Sequence, residues 1–163
     1  MSHPVIISLS ITLSIVDNVR AFFSGSKNAS EDVKDETAEK TIAVAALLIE
    51  AASADGEIDP TERPAMVGAL QNQFELSQED ADTVLEAAAE RQANANDLHQ
   101  FTKVAKTMSY EDKIRLIEGL WQVVLADGVK DKYEDALIRR LCGLLYIDDR
   151  ESGLARQRVQ SQN

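Results

Sequence analysis

An Ala-Asp-Gly tripeptide closes one apolar run and is followed by an acid-opened second run at two places in this chain. The first stretch is Ala54-Asp55-Gly56-Glu57-Ile58-Asp59-Pro60-Thr61-Glu62, and the second is Ala126-Asp127-Gly128-Val129-Lys130-Asp131-Lys132-Tyr133-Glu134. Asp55 and Asp127, Asp59 and Asp131, and Glu62 and Glu134 all stand 72 residues apart. An Ile-led apolar run precedes each copy, Ile42 to Ala54 and Ile114 to Ala126. A motif that recurs together with its flanks predicts a duplicated unit of helix, acidic turn and helix.

Backbone physics accounts for part of each turn. Gly56 and Gly128 fall where a helix closes through a left-handed residue, a conformation that glycine adopts without strain. Asp59 and Asp131 are suited to be N-caps, with Glu62 and Glu134 three residues on as the partners of a capping box. Pro60 is then expected at the first helical position, where a missing N–H does no harm. Capping gives no reason for Asp55, Glu57 or Asp127. These add negative charge beside a helix C-terminus, the end that disfavours it.

Calcium loops carry acids in a related order. Aligned on such a loop, the first turn supplies an acid (Asp55), the central glycine (Gly56) and the closing Glu62. The first and third ligand positions, however, fall on Ala51 and Ser53, and in the second copy on Val123 and Leu125. Those residues belong to the preceding helix, so an ordinary EF-hand is excluded.

The same residues resemble the tellurite-resistance TerB-like family, whose hallmark is an Ala-Asp-Gly turn with a downstream Glu. The stretch Asp97-Leu98-His99-Gln100-Phe101-Thr102, then Leu120-Trp121, Ala126-Asp127-Gly128 and Glu134-x-x-Leu137-Ile138-x-Arg140, is similar to its small stand-alone members. The likeness covers about residues 38–160. It implies an all-α fold, metal binding through the turn acids, and kinship with the N-terminal domain of a membrane-anchored DnaJ-type co-chaperone. A role in metal, tellurite or envelope stress goes with it. The chain departs from the pattern in its N-terminal extension and in Lys130 and Lys132, which flank the second turn and weaken it as a cation site.

Composition narrows the classes of partner. The net charge is −11, and it is uneven: residues 1–109 hold 8 basic and 18 acidic side chains, residues 110–163 hold 9 and 10. Nucleic acid is excluded as a partner on this balance, because phosphate contacts need basic groups. Cations or a basic protein surface are the complement expected. A single cysteine, Cys142, cannot form an internal disulfide and fits a reducing, cytoplasmic setting. At this length one domain can bury about 70% of its unfolded surface without staples.

Residues 1–36 are read as an N-terminal extension and polar linker, and 37–160 as the domain. Val5 to Val16 is apolar but broken by Ser8, Ser10, Thr12 and Ser14, with no basic residue before it. It is too short for a bilayer, which needs about 20 residues, and lacks the basic start of a secretory signal. A short amphipathic helix is expected near 12–23, with Ile15, Val19 and Phe22 on one face. Such a helix could touch a membrane surface, though packing on the domain is the simpler expectation.

In the domain, Val44, Leu47, Leu48 and Ala51 give a first helix over about 37–54. A second is expected over 60–73 and a third over 78–92, the latter capped by Ser77. Asn94 or Asn96 is expected to cap a fourth, and Ser109 and Asp148 to open later ones. Ile117, Leu120, Trp121 and Val124 form one face, and Leu137, Ile138, Leu141, Cys142 and Leu145 another. The fold class is all-α, a compact bundle of about seven helices built on a duplicated helix-turn-helix unit, with an extra N-terminal segment.

Two functional readings stand. In the first, a divalent cation is bound by Asp55, Glu57, Asp59 and Glu62, joined by Asp127, Asp131 and Glu134 if the turns pack together. All-oxygen ligands favour calcium, with magnesium or manganese next. In the second, the domain is an interaction module that receives a protein partner on its acidic face or in a helix groove. Enzymatic activity is not expected: there is no Gly-x-Ser-x-Gly, no phosphate-binding glycine loop, and only His3 and His99 as imidazoles. Cys142 reads as a buried small hydrophobe.

Overall fold

The computed structural model describes residues 32–52, 60–95, 98–126 and 132–162, and within them the side chains of 36–52, 60–95, 98–126 and 135–162. The expected helix near 12–23 lies outside the described residues, as do Gly56 and Gly128. Seven helices and no strand are present among the described residues. They are α1 (Asp32–Ala52), α2 (Arg63–Phe74), α3 (Gln78–Ala93), α4 (His99–Lys106), α5 (Tyr110–Ala126), α6 (Lys132–Leu145) and α7 (Asp149–Gln162). The chain is all-α.

The core is organised around α1, which packs against α2, α3, α4, α5 and α6. Every residue from Thr41 to Ile49 is buried, on all sides of the helix rather than along one stripe. Alanines at 43, 45 and 46 let the neighbouring helices approach closely, while Leu47 and Leu48 fill the space between them. Thr41, the one polar residue in that run, returns its hydroxyl to the Thr37 carbonyl at 2.7 Å. Helix α5 is the second axis, packing on α1, α2, α6 and α7.

Helix starts follow local chemistry. Ser77 is extended (φ −69°, ψ 164°) and its Oγ accepts from Asp80 N at 3.1 Å, and Ser109 Oγ accepts from Asp112 N at 3.2 Å before α5. Other boundaries differ from expectation. Helix α1 begins at Asp32, inside the stretch read as linker. Its acids and lysines are good helix formers, and acids suit a helix N-terminus. Asn94 does not open α4 but closes α3, donating its side-chain N–H to the Glu90 carbonyl at 3.0 Å. Helix α4 starts without a side-chain cap at Leu98.

Helix α2 begins at Arg63 rather than Pro60, and Pro64 is the reason. In a helix starting at residue 60, Pro64 would lack the N–H owed to the carbonyl four residues back, and its ring would strike that carbonyl. Starting at Arg63 puts Pro64 in the first turn, where neither matters, and leaves Pro60 in the preceding turn.

The helix ends are equally specific. Glu75 is left-handed (φ 54°) and donates its N–H to the Gln71 carbonyl at 2.9 Å, ending α2. Tyr146 is left-handed (φ 60°) after α6, with Ile147 N bonded to the Cys142 carbonyl at 2.8 Å and Tyr146 N to Gly143 at 3.4 Å. That pair of bonds is a Schellman closure. Each is followed by a buried apolar residue, Leu76 or Ile147, and then by the start of another helix.

Several buried positions stand 72 apart, although others, such as Ala43 and Arg115 or Val67 and Arg139, differ in exposure. Val44 and Leu116, Leu48 and Leu120, Ile49 and Trp121, Met66 and Ile138, and Leu70 and Cys142 are all buried. Helices α3 and α7 pack on α1 and α5 respectively.

Candidate functional site

Of the seven acids expected to face a cation, Glu62 is the one whose side chain the structure describes. Asp55, Glu57, Asp59, Asp127 and Asp131 lie outside the described residues. Glu134 is in the first turn of α6, with its side chain outside them. Glu62 is the last residue before α2, helical in backbone (φ −87°, ψ −24°), and its carbonyl accepts from Met66 N at 3.1 Å. Its side chain makes no capping hydrogen bond to α2.

Glu62 is only 2% exposed. Its neighbours in the turn, Pro60 and Thr61, are exposed, so the chain dips inward at this one carboxylate. The residue has polar interactions of its own, while Oε2 is sealed from solvent and accepts no hydrogen bond. Taking a carboxylate out of water costs several kcal/mol before compensation, so such groups are found paired, hydrogen-bonded or bound to a metal. Arg63, the adjacent cation, turns outward instead. It bonds Asp82 at 3.1 Å and approaches Glu86 at 4.0 Å, a half-exposed set that adds little stability. Among the described residues no group of three His, Cys, Asp or Glu side chains comes together.

A second buried polar cluster joins α5, α6 and α7. Trp121 Nε1 donates to Ser152 Oγ at 3.1 Å, linking α5 to α7, and the Arg156 guanidinium lies 4.9 Å over the indole ring. Cys142 is 1% exposed and shares a hydrogen bond with Ser152. Burial pushes the thiol pKa up, the Ser152 bond opposes that rise, and the Asp149 charge adds to it. A thiol held protonated is a poor nucleophile. His99 is exposed at the start of α4, beside half-buried Leu98. No helix among the described residues is long and apolar enough to cross a membrane.

Comparison with known proteins agrees with this architecture. The family model described as tellurite resistance protein TerB matches residues 41–157, from the buried core of α1 to the last turns of α7. Among curated proteins and solved structures, nothing matches the chain.

Proposed function

Because the chain belongs to the tellurite resistance protein TerB family, we propose that it is a non-enzymatic protein whose acidic inter-helix turns bind a divalent cation. The observation that carries this reading is the burial of Glu62. Glu62 is almost fully buried and its Oε2 accepts no hydrogen bond among the described residues, so one carboxylate oxygen is out of water without a proton donor. A carboxylate that closes an acidic turn and points away from water is suited to neutralise a cation held by Asp55, Glu57 and Asp59. Hard oxygen ligands favour calcium, then magnesium or manganese.

Duplication of the unit belongs to the same reading. It is supported by buried residues at positions 72 apart, such as Leu48 and Leu120 or Met66 and Ile138. The second turn, with Asp127, Asp131 and Glu134, then contributes less, because Lys130 and Lys132 add positive charge beside it. A protein of this kind would serve metal, tellurite or envelope stress as a sensor or buffer of the ion. Calorimetric titration of the metal-free protein with calcium, magnesium, manganese and zinc tests the reading. Heat of binding with calcium, weaker heat with magnesium or manganese and none with zinc is expected. No heat with any of the four rejects it.

A further inference from the structure

The groove between α4 and α6 differs in character from the rest of this acidic chain. Its floor is apolar: Leu137 and Leu141 are buried, Leu98 and Leu144 are half-exposed, and Thr102 lies among them. Its rim is formed by His99 and Arg140, both exposed, and among the described residues no Asp or Glu lines it. Lys103 and Lys106, also exposed, follow His99 and Thr102 at i+4 and so continue the same face of α4. Helix α4 contains no acid at all. Among the described residues neither Arg140, Lys103 nor Lys106 has an ion-pair partner.

We infer that this groove docks an acidic amphipathic helix of a partner protein. The cavity is about 190 Å³. That is below the roughly 300–1,000 Å³ of small-molecule sites and suits one or two aliphatic anchors. Leu137, Leu141 and Leu144 follow helical spacing along α6, and half-exposed Leu144, with Leu98 of the facing segment, gives a partner helix its apolar contact over the buried floor. An acyl chain would need a longer channel than this. Positive charge at the rim selects for Glu or Asp flanking the anchors. At physiological salt, screening over about 8 Å lets these local charges outweigh the distant acidic excess. The inference does not rest on cation binding, since the residues it uses, Leu98, His99, Leu137, Arg140, Leu141 and Leu144, are not turn acids.

Two labelled helical peptides of about 16 residues, long enough to hold some helix alone, provide the test. Both carry Leu at i, i+3, i+4 and i+7, one flanked by Glu and the other by Lys. They are titrated against the full chain by fluorescence anisotropy in the presence of a chelator, so that the result does not depend on the turn acids. The Glu peptide is expected to bind and the Lys peptide not. Arg140→Glu combined with Lys103→Glu should weaken the Glu peptide by about tenfold or more and bring in the Lys peptide. Both positions are exposed, and circular dichroism checks that the fold is kept. Leu144→Asp, at a half-exposed floor position, should abolish binding of the Glu peptide. The inference is overturned if neither peptide binds, if both bind equally, or if charge reversal leaves the affinity unchanged. Binding of phosphatidylglycerol vesicles with no binding of the Glu peptide overturns it as well, in favour of a lipid surface.

Discussion

Trp121 and Ser152 are 31 positions apart and meet inside the protein, the indole N–H donating to the hydroxyl at 3.1 Å with both residues under 10% exposed. The bond fixes α7 to α5 at the point where Cys142 of α6 also reaches Ser152. Three helices are therefore joined by one hydroxyl. Replacing Ser152 with Ala leaves the indole N–H buried without its acceptor, which costs about 1–3 kcal/mol. The melting temperature should fall by several degrees, at about 2–4 °C per kcal/mol for a chain of this size. Tryptophan emission reports the same change directly, as Trp121 is the sole indole.

Gly119 and Gly143 predict opposite outcomes for the same substitution. A Cβ on Gly119 would stand 3.2 Å from Ala69 Cβ and 3.3 Å from Leu48 Cδ2, and Ala69 has no flexible end to move aside. Gly119→Ala forces α5 away from α1 and α2, at about 1–3 kcal/mol, which exceeds the roughly 0.8–1.0 kcal/mol gained in helix propensity. Gly143 has nothing within 4 Å of an added Cβ, so Gly143→Ala should stabilise by about 0.5–1 kcal/mol. Urea melts of the two variants should move in opposite directions.

Tyr146 occupies a left-handed conformation with its side chain 82% exposed. For a non-glycine residue that conformation costs about 1–2 kcal/mol, and little packing is lost on truncation. Tyr146→Gly should therefore raise the melting temperature by a few degrees, because the Schellman closure from Ile147 to Cys142 is kept.

The Cys142 thiol sets a pH dependence. Its pKa in the folded protein is raised by burial, so the unfolded chain loses the proton first as pH rises. The thiol's contribution is thus whole below the ordinary thiol pKa, about 8.5, and declines above it. Melts between neutral and alkaline pH should show that loss, reduced in Cys142→Ala. Native protein should react slowly with a thiol reagent at neutral pH.

How much of this was legible in the residues depends on the kind of signal. Ser77 and Ser109 announced their helices, since a hydroxyl directly before an acid-rich first turn has one common use. Asn94 misled, because an amide caps either end and only the position of the next apolar residue distinguishes them. Pro60 suits a first helical position by itself, but Pro64, four residues on, rules that start out. The uniform burial of α1 was implicit in its alanines, but a one-face pattern was the simpler reading. The groove of α4 and α6 had one visible sign, the absence of acids in α4, which net charge conceals. Burial of Glu62 had none, because a closing Glu looks the same in a cap and in a ligand set.

That last ambiguity defines the central experiment. Thermal melts of wild type and Glu62→Gln, each metal-free and with calcium in excess, separate the two roles. Gln can fill a cap and occupies the same volume, but it offers a cation one neutral oxygen in place of a carboxylate. The account predicts metal-free midpoints within a few degrees of each other. It also predicts a calcium-dependent rise in wild type, worth about 2.7 kcal/mol at a hundredfold excess over Kd, that is largely lost in Glu62→Gln. An equal response of the two proteins to calcium, magnesium and manganese, or no response in either, would contradict it.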